Sequence, residues 1–117
     1  MYGNHFTFEE LTSTETGLYN SPTSPSHLYN LARLWHTLNH LRNTLGRPIV
    51  VNSAFRSPEV NRRVEGKEKS HHLQGRAADI WCEQKYMDEL WLVIEQYAAE
   101  FGLSEKIKHS TYYHIAI

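Results

Sequence analysis

Asp79 constrains this chain more than any other residue. It stands among Ala77, Ala78, Ile80 and Trp81, in a run that reads as a strand within a sheet. An unpaired buried carboxylate is costly, so any fold the chain adopts must bring Asp79 a partner. A metal ion is one candidate and an arginine is the other. His72 lies seven residues earlier, and Gly75, Ala77 and Ala78 between them permit close backbone approach. His71 precedes His72, and spacing does not choose between the two. On extended backbone they point in opposite directions, so one of them can serve as a ligand. His109 and His114 form a second histidine pair near the C-terminus. Two imidazoles and one carboxylate make a donor set that suits Zn2+ and leaves its fourth position open to water, as catalytic rather than structural sites do.

The rest of the chain supplies a scaffold for such a site. Phe6, Phe8 and Leu11 are the apolar members of a short amphipathic turn over residues 5–11. Thr12 to Ser24 reads as an ordered polar loop crossing the surface. Ser24 and Pro25 then open a long helix. Leu28, Leu31, Trp35, Leu38, Leu41 and Leu45 recur on one of its faces, and Gly46 with Pro48 ends it. Ile49-Val50-Val51 reads as a short buried strand. Ser57 and Pro58 start a second helix that carries Val60 and Val64 inward and ends near Gly66. The charged stretch Glu65 to Ser70 reads as a mobile loop. Ala77 to Trp81 is a strand. A helix from about Gln84 to Phe101 presents Met87, Leu90, Trp91, Ile94, Tyr97, Ala98 and Phe101. Lys106–His109 and Tyr112–Ile117 pair as a hairpin across Ser110-Thr111, with Tyr112, His114 and Ala116 on one face. Helix, strand, helix, strand, helix, strand, strand predicts an α+β domain whose small, mostly antiparallel sheet is covered by helices.

At 117 residues the chain is expected to be a single domain, and a monomer. Twelve Lys and Arg against thirteen Asp and Glu leave a net charge of −1, which gives no global field toward nucleic acid or a membrane. No apolar run approaches the roughly 20 residues of a membrane span. Cys82 is the only cysteine, so no intrachain disulfide can form. The first ten residues lack the basic start and apolar run of a signal peptide, so synthesis in the cytoplasm is expected. Among the other histidines, His5 and His27 match no ligand pattern, and His36 with His40 is expected to line the solvated flank of the long helix. Arg56, in a Phe-Arg-Ser-Pro turn, suits two-pronged recognition of a carboxylate.

These residues resemble a family. Ser53-Ala54-Phe55-Arg56-Ser57-Pro58-Glu59-Val60-Asn61 looks like the S-G-[YF]-R-S-P-x-x-N segment of the M15 peptidases, the zinc D-alanyl-D-alanine carboxypeptidases and endopeptidases of peptidoglycan. Ser70-x-His72-x-x-Gly75-x-Ala77-x-Asp79 matches the family's S-x-H-x-x-G-x-A-x-D signature, and Tyr113-His114-Ile115 resembles its last ligand-bearing strand. The resemblance runs from about Phe6 to Ile117. It implies the hedgehog/D,D-peptidase fold and zinc held by His72, Asp79 and His114. It further implies a substrate carboxylate on Arg56 and Ser70 beside the site, either binding substrate or supporting a ligand. His109, five residues before His114, matches a second active-site histidine of several members. The implied activity is hydrolysis of a peptide bond in peptidoglycan stem peptides, of carboxypeptidase or endopeptidase (endolysin) type, at the cell wall or in the periplasm. Lysis, a holin or a partner would carry the chain there.

One departure bears on catalysis. Many members place a Glu or Asp a few residues before the last histidine as general base, and here Ile107, Lys108, Ser110 and Thr111 supply no carboxylate. The nearest is Glu105, expected to serve only if the hairpin register differs from this reading, which sets Lys108 near the metal. Either His109 or Glu105 takes the proton, or activity is weak. A second departure, Ala54 for the glycine of the first motif, is minor. Two rivals follow. One is a non-catalytic zinc-binding relative that holds a cell-wall peptide or a protein partner. The other is a metal-dependent nuclease using Arg56, Arg62, Arg63, Lys67, Lys69 and Arg76 on phosphates.

Overall fold

A computed structural model describes residues 5–117. The first element is a one-turn helix, α1 (Phe8–Thr12), closed by a capping box. Thr7 Oγ1 accepts from the Glu10 N–H at 3.1 Å, and Glu10 Oε1 accepts from the Thr7 N–H at 3.2 Å. Phe6 and Leu11 are buried, but Phe8 stays exposed, because a turn this short has one inward face. Helix α2 (Pro25–Leu45) takes its cap from Ser24 and ends where Gly46 adopts φ 72°, a left-handed stop that glycine adopts without strain. Leu31, Leu34, Leu38, Leu41 and Leu45 form its buried stripe, whereas Leu28 lies before the stripe meets the sheet and remains exposed.

Strands β1 (Val50–Ser53), β2 (Ala77–Trp81), β3 (Glu105–Lys108) and β4 (Tyr113–Ala116) form one sheet in the order β1-β2-β4-β3, antiparallel throughout. Between β1 and β2 lie helix α3 (Pro58–Arg63) and a 3-10 turn over His71–Gln74. A second 3-10 turn (Gln84–Tyr86) leads into helix α4 (Met87–Tyr97). Helices α2 and α4 cover one sheet face, where Ala78, Ile80, Tyr113 and Ile115 join Leu34, Leu38, Leu90 and Ile94 in the core. Burying each such leucine or isoleucine stabilises the fold by about 1.5–3 kcal/mol. This is the helix-covered antiparallel α+β arrangement the element order predicts.

Three sequence expectations change here. β1 is an edge strand, not a buried one, and Val50 opposite Trp81 shares the sheet face that no long helix covers, with both exposed. Val64 follows the last turn of α3 and points to solvent while Val60 is buried. His40 is half-buried rather than on a solvated flank, whereas His36 is exposed as expected. They pack edge-on against Phe101, and His40 also against Tyr97 with ring centroids 4.7 Å apart. Among the described residues no helix is long and apolar enough to cross a membrane.

Candidate metal centre

The uncovered sheet face carries the site. On β2, Ala78 and Ile80 point to the helices, so the alternation of a strand turns Asp79 the other way. Strand β4 pairs His114 directly with Asp79, and Ser53 of β1 pairs with it from the other side, after a register shift at Asn52. The 3-10 turn supplies His72. Ser70 Oγ caps this turn by accepting from the His72 N–H at 3.1 Å. Gly75 closes it at φ 72°, where a Cβ would lie 3.0 Å from both the His27 carbonyl oxygen and Leu31 Cγ, so the turn sits tight on α2 as only glycine permits.

One atom from each of His72, Asp79 and His114 falls within a cluster whose members are all within 4.8 Å of one another. His72 Nδ1 donates to the Ala54 carbonyl at 2.7 Å, which leaves Nε2 facing Asp79 Oδ1 at 3.3 Å. His114 has a carboxylate at each end: Nδ1 is 2.9 Å from Asp79 Oδ1 and Nε2 is 2.9 Å from Glu105 Oε1. A neutral imidazole carries one N–H, so neutral rings would set a lone pair of each histidine against a carboxylate or leave one hydrogen bond unmade. Two extra positive charges resolve both conflicts. Two protons can supply them, and so can one divalent cation among the three donors. The residues therefore fit a zinc ion.

The electrostatics point the same way. Burial alone would raise the Asp79 carboxyl, but hydrogen bonds from His114 and His72 and their charge hold it well below the usual carboxylate range. Burial opposes charge on His114, yet Asp79 and Glu105 together raise it above its ordinary value. Glu105 is lowered by hydrogen bonds from His114 and His71. Arg56 is the other partner of Asp79: its Nη2 lies 3.4 Å from Oδ2, while Nε donates to Ser53 Oγ at 3.0 Å and Nη1 to Asn61 Oδ1 at 3.3 Å. The metal-like cluster and the arginine thus take opposite oxygens of the same carboxylate.

A cleft of about 270 Å³ opens over these groups, with the Gly66–His72 segment as one wall and the β3–β4 hairpin as the other. Arg56, Ser70, Glu105 and His109 all border it. His109 sits at the hairpin rim, exposed, its ring stacked on Tyr112 at 4.5 Å, and shares no hydrogen bond or ring contact with the three donors. Lys108 is not near them. It pairs with Tyr113 on the helix side, its ammonium 5.0 Å from the Trp91 ring, and Ile107 takes the place opposite His114. Glu105 reaches His114 without any change of register, because it lies diagonally across the hairpin on the same face. The histidine pair is not split by extended backbone either: in the 3-10 turn His71 also faces the cleft, its Nδ1 2.8 Å from Glu105 Oε1. Ser70 and Gly75 bracket a four-residue turn, a signal that would have revealed this. Ile107 and Tyr112 also escaped the reading as cleft residues, since only the fold brings them there, and so did the contacts of Asn61 with Arg56 and Lys67. The stretch Glu65 to Ser70, expected to be mobile, is fastened: Asn61 accepts the Gly66 N–H at 2.8 Å and donates to the Lys67 carbonyl at 2.9 Å. Of the basic residues weighed for phosphate binding, Arg56, Lys67 and Lys69 border the cleft, whereas Arg76 is tied to the Ile117 carbonyl and Gln74.

A family model described as Peptidase M15 matches residues 4–116, nearly the whole chain. No curated protein sequence matches it.

Proposed function

Because this chain belongs to the peptidase M15 family, we propose that it is a zinc-dependent hydrolase of a peptide bond in peptidoglycan stem peptides, acting at the cell wall or in the periplasm. The observation that carries the reading is the cluster of His72 Nε2, Asp79 Oδ1 and His114 Nδ1 at the floor of a cleft bordered by Arg56. His72, Asp79 and His114 would hold the ion. Bound there, zinc would polarise the scissile carbonyl and lower the pKa of its water toward about 7.

The chain's own residues do the remainder. Arg56, held rigid by Ser53, Asn61 and Asp79, presents its cation to a carboxylate of the stem peptide. Ser70 supports His72 through the cap of its turn. His109 at the cleft rim gives or takes the proton and stabilises the developing oxyanion, with Glu105 as the competing base. A second reading, a zinc-binding relative that holds a wall peptide without cutting it, is favoured by one observation: Glu105, the carboxylate that meets His114 besides Asp79 among the described residues, already accepts from two histidines.

The test is digestion of purified sacculi by the zinc-loaded protein, with a chelated control, followed by mass analysis. Zinc-dependent release of D-alanine or of shortened stem fragments is expected, and the masses identify the bond. Intact sacculi with stoichiometric zinc bound would select the binding-only reading.

A further inference from the structure

The two ligand histidines present different nitrogens, and each choice has its own cause. His72 donates Nδ1–H to a backbone carbonyl, that of Ala54, which leaves Nε2 for the ion. His114 uses the opposite pair. Its Nδ1 faces Asp79, and its Nε2 meets only Glu105 Oε1. A carboxylate accepts and does not donate, so Glu105 requires the hydrogen on Nε2 and frees the Nδ1 lone pair.

Glu105 is itself held. It stands on β3, at the outer edge of the sheet, with a half-exposed side chain. His71 reaches it from the opposite wall of the cleft, so one carboxylate oxygen accepts from His71 Nδ1 at 2.8 Å and from His114 Nε2 at 2.9 Å. Without His71, a glutamate on an edge strand would be free to leave for water.

We propose that Glu105 and His71 are positioning residues of the metal centre. Glu105 fixes His114 in the tautomer and ring angle that offers Nδ1 to zinc, and His71 locks Glu105 in place across the cleft. This inference rests on the zinc reading of the site. It removes Glu105 from the role of general base and leaves His109 to move the proton.

The experiment uses the full chain and reads metal binding, not turnover. Zinc affinity is measured by competition with a chromophoric chelator at fixed pH, and the Co2+-loaded protein gives a visible spectrum sensitive to ligand geometry. Glu105→Ala should weaken zinc binding about 10- to 100-fold and alter the Co2+ bands. Glu105→Gln, which keeps an acceptor oxygen, should retain most of the affinity, and His71→Ala should fall in between. Unfolding of each metal-free variant confirms that it folds, and if Glu105→Ala does not, His71→Ala carries the same test. Wild-type affinity and an unchanged spectrum in both alanine variants would overturn the proposal. So would a Glu105→Gln protein that loses turnover at unchanged affinity, which is the behaviour of a base. Failure of the unmodified chain to bind zinc would instead overturn the metal centre itself.

Discussion

Replacing Asp79 with alanine separates the two jobs of its carboxylate. Asp79 is 8% exposed, with His72 and His114 on Oδ1 and Arg56 on Oδ2. When it is removed, both histidines can shed their protons, but Arg56 cannot. Breaking a buried ion pair costs roughly 3–5 kcal/mol. The lower end applies, because Arg56 keeps its bonds to Ser53 and Asn61 and is 15% exposed. With an unfolding entropy of about 2.1 cal/mol/K per residue over this length, the metal-free variant should melt about 12 °C below the metal-free wild type. Zinc at about a thousand times its Kd adds roughly 4 kcal/mol to the wild type, near 16 °C in Tm, and the variant should gain almost none of it. Scanning calorimetry in chelator and then in excess zinc reads both quantities. A metal-free Tm within about 2 °C of wild type would refute the ion-pair account. A zinc shift as large as the wild type's would refute Asp79 as a ligand.

Four further outcomes are expected. Gly75→Ala forces a left-handed conformation on a residue whose Cβ lies 3.0 Å from the His27 carbonyl. It should cost about 2 kcal/mol in urea unfolding, and an unchanged midpoint would contradict the packing described. His114 is raised above 6.5, so its stabilisation of the metal-free fold is full below 6.5 and is lost as pH rises through the raised value. Asp79 and Glu105 are lowered from 3.8 and 4.5, so theirs is present above those values and is lost as pH falls toward the folded ones; urea midpoints in chelator should peak between 4.5 and 6.5, and a flat profile would dismiss the cluster. Arg56→Lys should raise KM on muropeptides more than it lowers kcat, because the charge remains while the fork is lost, and unchanged kinetics would remove the role. His109→Ala should keep zinc and lose about 10²–10⁴-fold in rate, whereas His114→Ala should lose the metal; a mild effect of the first would shift proton transfer to another group.

By itself the sequence determined what is local. Ser24, Pro25 and Gly46 set the bounds of α2, Ser57 and Pro58 start α3, and the small residues around Asp79 mark a strand, because caps, fixed dihedrals and the two-residue alternation act over a few neighbours. The resemblance carried by the S-x-H-x-x-G-x-A-x-D and Tyr-His-Ile motifs implied the three donors, and strand pairing then set His114 opposite Asp79. Other properties were decided only in three dimensions. Exposure of Val50 follows from the place of β1 at an edge, and that order comes from which strands pair rather than from any residue in β1. The position of Lys108 over Trp91 depends on α4 covering the far face. Glu105 meets both His114 and His71 because the sheet and the 3-10 turn bring together segments 9 and 34 residues apart in the chain. Charge shows the same division: the sequence required a partner for Asp79 and left metal or arginine open, and the fold set Arg56 on one oxygen and two histidines that could share a metal on the other, because a carboxylate has two faces and only packing decides what meets each.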